Sequence, residues 1–127
     1  MFINIEPLPC PRPRVAARGK FAHAYYPASY KTWRANFAKA MPTLSPGFVP
    51  YDTPVHVFVT FIVTRPKTTK LHTPKGDIDN YLKSLFDSLT DIGMWTDDKL
   101  VETVHATKRF ARAGEQPGIQ LDITPRS

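Results

Sequence analysis

The run Val55-His-Val-Phe-Val-Thr-Phe-Ile-Val-Thr64 constrains the fold of this chain more than any other stretch. It is β-branched and aromatic almost throughout, so it reads as a strand central in a sheet. A central strand needs partners, and the sequence offers several. Residues 2–5 read as a short strand. Residues 15–17 and 22–26, joined across Arg18-Gly-Lys20, read as a hairpin with a basic tip. Residues 101–110 and 119–123 read as two final strands separated by a turn over 112–118. Two helical patterns lie between them. Ser29 is a candidate N-cap for a helix to about Met41, with Tyr30, Trp33, Phe37 and Met41 on the core face and Lys31, Arg34 and Lys39 opposite. The second runs from about Ile78 to Thr90, its apolar set Ile78, Leu82, Leu85, Phe86 and Leu89 recurring at helical spacing, with Gly93 as its stop. The order β, hairpin, α, β, α, β, β predicts one α+β domain over residues 1–127: a mixed β-sheet with an N-terminal hairpin and two helices packed on it. A chain of this length buries enough surface to fold without a disulfide or a structural metal.

Two further stretches are proline-punctuated. Pro7-Leu-Pro-Cys-Pro-Arg-Pro-Arg14 has proline at every second position, which favours extended backbone. It reads either as a stiff surface segment or as a mount that presents Arg12 and Arg14 to phosphates. Residues 65–76 form a basic loop carrying Lys67, Lys70 and Lys75. The stretch from Thr43 to Pro54 is a loop. The one cysteine, Cys10, cannot form an internal disulfide, which favours a reducing setting. The start of the chain lacks the basic-then-apolar pattern of a signal peptide, and no apolar run is long enough to span a bilayer. A soluble, cytoplasmic protein without membrane contact is the expectation.

A net charge of +6 suggests a polyanionic partner, although small soluble domains often carry a few net charges. The distribution says more: six of the 11 acids, Asp77, Asp79, Asp87, Asp91, Asp97 and Asp98, fall between positions 77 and 98. Taken singly, each has an ordinary explanation. Asp77 can cap the helix, Asp79 and Lys83 can make an exposed i,i+4 pair, and Asp97-Asp98 can turn the chain. Taken together, they point elsewhere. At about 100° per residue, Asp79 sits at the edge of the apolar face, while Asp87, about 155° away from its centre, points outward and is a partner for Lys83. Trp95 is an aromatic anchor just ahead of Asp97 and Asp98. Converging carboxylates repel one another, and a cation relieves that cost; an oxygen-only set suits Mg²⁺, with Mn²⁺ as a substitute. His23, His56, His72 and His105 show no zinc spacing, and His56 and His105 read as structural residues within strands. An acidic metal site in a basic protein is what phosphodiester hydrolysis requires.

The pattern Asp77-x-Asp79-Asn80-x-x-Lys83-x-x-x-Asp87-x-Leu89, followed by Gly93-x-Trp95-x-Asp97-Asp98-x-x-Val101, resembles the RusA family of Holliday junction resolvases. The close match covers roughly residues 75–104, with a looser one through Leu121-Asp-Ile-Thr; the Pro-rich start is similar to the phage and prophage branch. The resemblance implies a RusA-like fold and a homodimer that makes paired nicks in four-way DNA junctions with Mg²⁺, in recombination and repair. It places catalysis on Asp77, Asp79, Lys83 and Asp98, metal binding on Asp77, Asp79, Asp98 and Asp97, and leaves Lys83 to orient the scissile phosphate or the attacking water. DNA contacts are expected from Arg12, Arg14, Arg18, Lys20, Lys67, Lys70 and Lys75. Two alternatives stand beside this: a metal nuclease for other branched DNA such as flaps and forks, and a catalytically inactive DNA-binding relative.

Overall fold

A sheet order of β1-β6-β4-β5 puts the strand over Val55–Val63 (β4) inside the sheet, flanked by Val101–Phe110 (β5) and Gly118–Pro125 (β6). The structure is a computed structural model. It describes residues 1–18 and 21–126, leaving aside the side chains of residues 14, 16–18 and 21–24. β4 runs parallel to β5 and antiparallel to β6, and the short β1 (Phe2–Ile3) pairs antiparallel with β6 at the far edge. The mixed sheet is therefore as expected. The hairpin, β2 (Arg14–Arg18) with β3 (Phe21–Tyr25), forms a separate two-stranded sheet. The two helices are α1 (Ala28–Ala40) and α2 (Ile78–Asp91), and a single 3₁₀ turn (Asp98–Leu100) leads into β5.

The two faces of the sheet have different fates. Val55, Val57, Val59 and Phe61 of β4 are buried beneath the helices, together with Ile119 and Leu121 of β6. The helices contribute Trp33 and Phe37 from α1 and Tyr81, Leu85 and Leu89 from α2 to the same core. The opposite face is open: Phe58 is 43% exposed and stacks flat on His105, with ring centroids 4.9 Å apart. His56 and His105 thus belong to this open face rather than to the interior, because alternation along a strand sends them opposite to Val55 and Val57.

Local details depart from expectation in two places. α1 follows Pro27 without any side-chain cap hydrogen bond, so Ser29 lies in the first turn and is not the N-cap. Proline before the first turn presets the backbone in place of a polar cap. The Pro-rich segment is no free surface strap. Trp33 Nε1 donates to Glu6 O (2.8 Å), Ser84 Oγ to Leu8 O (2.6 Å) and the Cys10 amide to Asn80 O (2.8 Å), which sews it along both helices. Glu6 also accepts from the amide and hydroxyl of Thr64, at 2.8 Å each. α2 ends as expected at Gly93 (φ 78°), where Gly93 N bonds Thr90 O and Met94 N bonds Leu89 O, the paired bonds of a Schellman stop. None of the described helices is long and apolar enough to cross a membrane.

Candidate active site

α2 begins where the basic loop ends. Asp77 occupies the N-cap position in extended conformation, and its backbone carbonyl accepts from Asn80 N and Tyr81 N. Its carboxylate makes no cap hydrogen bond, so the helix does not consume it. The approach to Asp77 is fixed from the sheet: Lys108 Nζ donates to Pro74 O (2.8 Å) and Gly76 O (2.6 Å). Gly76 itself is required by space, since a Cβ there would lie 2.8 Å from Pro9 and 2.9 Å from the Tyr81 ring. The first candidate carboxylate is thus held by a loop anchored to both the Pro-rich segment and β5.

From two residues further on, Asp79, Lys83 and Asp87 follow one another at spacings of four down the flank of α2. Lys83 Nζ pairs with Asp87 at 3.2 and 3.3 Å rather than with Asp79. Tyr30 Oη of α1 donates to the same carboxylate at 2.7 Å. Asp87 does not point freely outward: α1 packs along that side, leaving its side chain only 18% exposed. Burial, and then the hydrogen bond to Asp87, pushes the Tyr30 hydroxyl far up, so it remains a donor at any working pH. Burial works against the charge on Lys83, but the hydrogen bond and charge of Asp87 outweigh it and raise its pKa. Lys83 is consequently a permanent cation with a fixed base. Beside this network, Arg34 makes a two-pronged bridge to Asp91 (2.8 and 2.7 Å) and lies over the Tyr30 ring.

The second acidic pair arrives from the other end of α2. Trp95 is 2% exposed, donates from Nε1 to Thr90 Oγ1 (2.7 Å) and meets Phe86 edge-on. Tyr51 of the 43–54 loop brackets it through Tyr51 N to Met94 O and Thr96 N to Tyr51 O. With Trp95 anchored, Asp97 Oδ1 caps the 3₁₀ turn by accepting from Lys99 N at 2.8 Å. Asp98 follows, exposed, and lines a cavity of about 230 Å³ together with Asp79, Leu82, Lys83, Phe86 and Asp87.

Asp77 opens instead into a larger cavity of about 680 Å³. Among the described residues, no three Asp, Glu, His or Cys side chains stand close enough to hold one metal ion. The topology explains this. In a parallel β4-α2-β5 unit the helix entrance and exit lie at opposite ends of the strands, and a helix rises about 1.5 Å per residue, so Asp77 and Asp87 are separated by about 15 Å along its axis. What one chain does place along one cavity is Asp79, Lys83, Asp87 and Asp98, and Asp98 also borders a neighbouring cavity with Asp91 and Asp97. Two exposed carboxylates fit Mg²⁺, which is often held by one or two carboxylates with substrate phosphate oxygens and water completing the octahedron.

A family profile described as Endodeoxyribonuclease RusA matches residues 4–124, nearly the whole chain. This chain belongs to the RusA family. It is also similar to a protein of Aquifex aeolicus (strain VF5) named Crossover junction endodeoxyribonuclease RusA: 27% identical over 123 residues, covering 97% of this chain and 90% of the relative. Membership makes the chain a nuclease, as the resemblance implied.

Within this RusA-family fold the expected DNA-contacting residues have mixed outcomes. Arg12 and Lys75 are exposed and line the larger cavity beside Asp77. Lys67 and Lys70 are exposed on the same loop. The side chains of Arg14 and Arg18, and the whole of Lys20, lie outside the described residues. Sequence reasoning missed Tyr30 and Lys108 as supports of the RusA-family site. Tyr30 was read as core, which it is, but its hydroxyl serves the site. Lys108 carried a readable signal, because it interrupts an alternation of Val104, Ala106 and Phe110 on the helix-facing side of β5. An inward lysine on an edge strand needs acceptors, and the 74–76 loop provides them.

Proposed function

We propose that this chain resolves four-way DNA junctions in recombination and repair, as a Mg²⁺-dependent homodimer that makes paired, symmetric nicks. The observation that carries the reading is the convergence of Asp79, Lys83 and Asp98, from two separate segments, on one cavity of a chain with a RusA-family pattern throughout. The name of the Aquifex aeolicus relative supports the junction as substrate. A junction has two-fold symmetry, so two cuts placed symmetrically call for two copies of the site. The single cysteine and the absence of a membrane-crossing helix among the described residues are in keeping with action in the bacterial cytoplasm.

The residues divide the work as follows. Arg12 and Lys75, with Lys67 and Lys70 on the adjoining loop, neutralise the phosphate backbone and set it against the entrance of α2. Asp79 and Asp98 hold a divalent ion; Asp77 approaches from the helix entrance, and Asp97 contributes the carboxylate oxygen left free by its turn. When bound, the ion supplies charge neutralisation and an acidified water. Lys83, fixed by Asp87, orients a non-bridging phosphate oxygen and offsets the negative charge that builds during displacement. Neither Asp79 nor Asp98 makes a side-chain hydrogen bond to another described residue, so both are available for this role.

The test is nicking of a synthetic four-way junction, with matched fork, flap and linear duplexes alongside, by the parent protein and by Asp79→Asn in Mg²⁺. Symmetric nicks in the junction by the parent, and loss of nicking with retained binding by the variant, are the expected results. Parental nicking rates in Asp79→Asn would overturn the assignment of the site. Equal cleavage of fork and junction would overturn the junction as substrate.

A further inference from the structure

The cavity that opens at Asp77 is flanked by the DNA-neutralising Arg12 and Lys75, but its interior has no part in the chemistry above. Its volume, about 680 Å³, is within the range of roughly 300–1,000 Å³ typical of small-molecule sites. Its lining is mostly apolar and includes the rings of Tyr81 and Phe110 and the side chain of Leu71. The polar groups are the Asn80 side chain on the first turn of α2 and Thr64, Thr68 and Thr69, with Arg12 and Lys75 as the cationic members and Asp77 as the acid. The Asn80 amide makes no side-chain hydrogen bond to the described residues, whereas its backbone carbonyl holds Cys10 N. The walls are set in advance, since Lys108 fixes the 74–76 loop, Glu6 fixes Thr64 and the Asn80 carbonyl fixes Cys10.

From this arrangement we infer that the cavity receives one unstacked nucleobase of the DNA substrate, next to the phosphate that is cut. The inference rests on the junction-cleaving reading and deepens it. Charge complementarity selects the occupant: an apolar slot flanked by Arg12 and Lys75 on a basic protein matches a flat, uncharged base whose two neighbouring phosphates are anionic. The half-buried Phe110 ring, over which Arg65 lies at 5.1 Å, and the exposed Leu71 supply the surface on which a base would pack, Tyr81 being buried, and a free amide supplies donors and an acceptor for a base edge, features by which extruded and single-stranded bases are bound. A duplex cannot fill such a slot, because its bases show only their edges in the grooves. A branch point can, because nucleotides there have lost a stacking neighbour and cost the least to extrude. The site would give the enzyme a sequence preference at one nucleotide, set by Asn80, and would draw that nucleotide's phosphate towards Asp77.

The experiment is a scan of four-way junctions carrying one abasic nucleotide at each position around the exchange point. Binding to the non-nicking Asp79→Asn protein is measured with and without Leu71→Trp. Leu71 is 48% exposed, so tryptophan there narrows the cavity without disturbing the core. The expected result is one symmetry-related position at which removing the base weakens binding about tenfold, a loss that disappears in the Leu71→Trp background. In parallel, Asn80→Ala in the otherwise active protein changes which base is preferred beside the mapped nick while the junction is still cut. Abasic losses that simply add to the effect of Leu71→Trp at every position would overturn the inference. So would a Leu71→Trp protein whose oligomeric mass changes with no position coupled, which would mean that a second copy of the chain fills the cavity. Failure of the parent to bind or cut any junction would overturn the proposed function and this site with it, whereas normal cutting without coupling sinks only the cavity.

Discussion

Tyr30 on α1 and Asp87 on α2 are joined by a 2.7 Å hydrogen bond, and Lys83 grips the same carboxylate from the other side. The interface between the helices therefore also fixes the one cation of the site. Tyr30→Phe keeps the ring in the core but leaves Asp87 with a lysine alone. A hydrogen bond to a charged group contributes about 1.5–3 kcal/mol, and urea denaturation should register a loss of that size. The nearby Arg34–Asp91 bridge is more exposed, and such pairs contribute about 0–1 kcal/mol, so Arg34→Ala should cost less despite its two short bonds. Nicking by Tyr30→Phe should fall through its maximal rate rather than through junction affinity. Equal stability of Tyr30→Phe and the parent would show that the bond is incidental.

Lys83 can be tested more directly. Lys83→Met removes the charge proposed to orient the scissile phosphate but keeps the length of the side chain. Loss of a preorganised electrostatic group of this kind costs on the order of 10²- to 10³-fold in rate. Single-turnover nicking at saturating enzyme should show that loss, with junction affinity nearly unchanged. Lys83→Arg should recover only part of the rate, because the fork of a guanidinium does not match the two oxygens of Asp87 and the phosphate at once. A Lys83→Met protein as fast as the parent would remove lysine from the mechanism.

Much of this was legible beforehand because periodicity reports directly which side of an element is apolar. The stripe Tyr30, Trp33, Phe37 and the buried Leu85 and Leu89 need only the 3.6-residue repeat, and β4 needs only its branched and aromatic run, whereas Ile78 of the expected set is 37% exposed, Leu82 and Phe86 are partly buried, and Tyr81, Ser84 and Ser88 share the buried face. Asp87 shows where that logic stops. Its angle was measured from the set Ile78, Leu82, Leu85, Phe86 and Leu89, whereas the buried face is Tyr81, Ser84, Leu85, Ser88 and Leu89, so Asp79 is the exposed residue and Asp87 the covered one; nor does a helical wheel say that a second helix covers the polar flank. The same holds for the Pro-rich segment, whose extended backbone was foreseen but not the two hydrogen bonds that sew it to α2 or the one that ties the preceding Glu6 to α1. That Asp79 and Asp98 belong to one site is what the family resemblance implied, and both line one cavity. That Asp77 and Asp98 line different cavities follows from the parallel β4-α2-β5 topology, which no local pattern encodes.

Acid stability should depend on the turn between β5 and β6. Arg109 holds Glu115 with two bonds of 2.6 and 2.8 Å, the Arg112 amide adds a third, and together they lower the Glu115 carboxyl to about 2. A carboxyl whose folded pKa is depressed stabilises the fold fully above its ordinary value of 4.5, and loses that contribution as pH falls towards about 2. The parent should therefore lose stability between about pH 4.5 and 2, and Glu115→Gln should show a smaller change in that window. Carboxyl titration by NMR checks the assignment, and a Glu115 midpoint near 4.5 would contradict it.

The salt dependence of junction binding offers the sharpest check on where DNA lies. Arg12 and Lys75 are exposed beside Asp77, whereas Lys31 is exposed on α1, a helix without any cationic role in the proposed site. Each phosphate contact contributes about 0.9 to the slope of log affinity against log salt on duplex arms. Arg12→Ala and Lys75→Ala should each reduce the slope by about that amount, and the double variant by about twice as much, because the two contacts address different phosphates. Lys31→Ala should leave the slope as it is. If Lys31→Ala lowered the slope and Arg12→Ala did not, the backbone would run across α1, and the cavity at Asp77 would face away from the DNA.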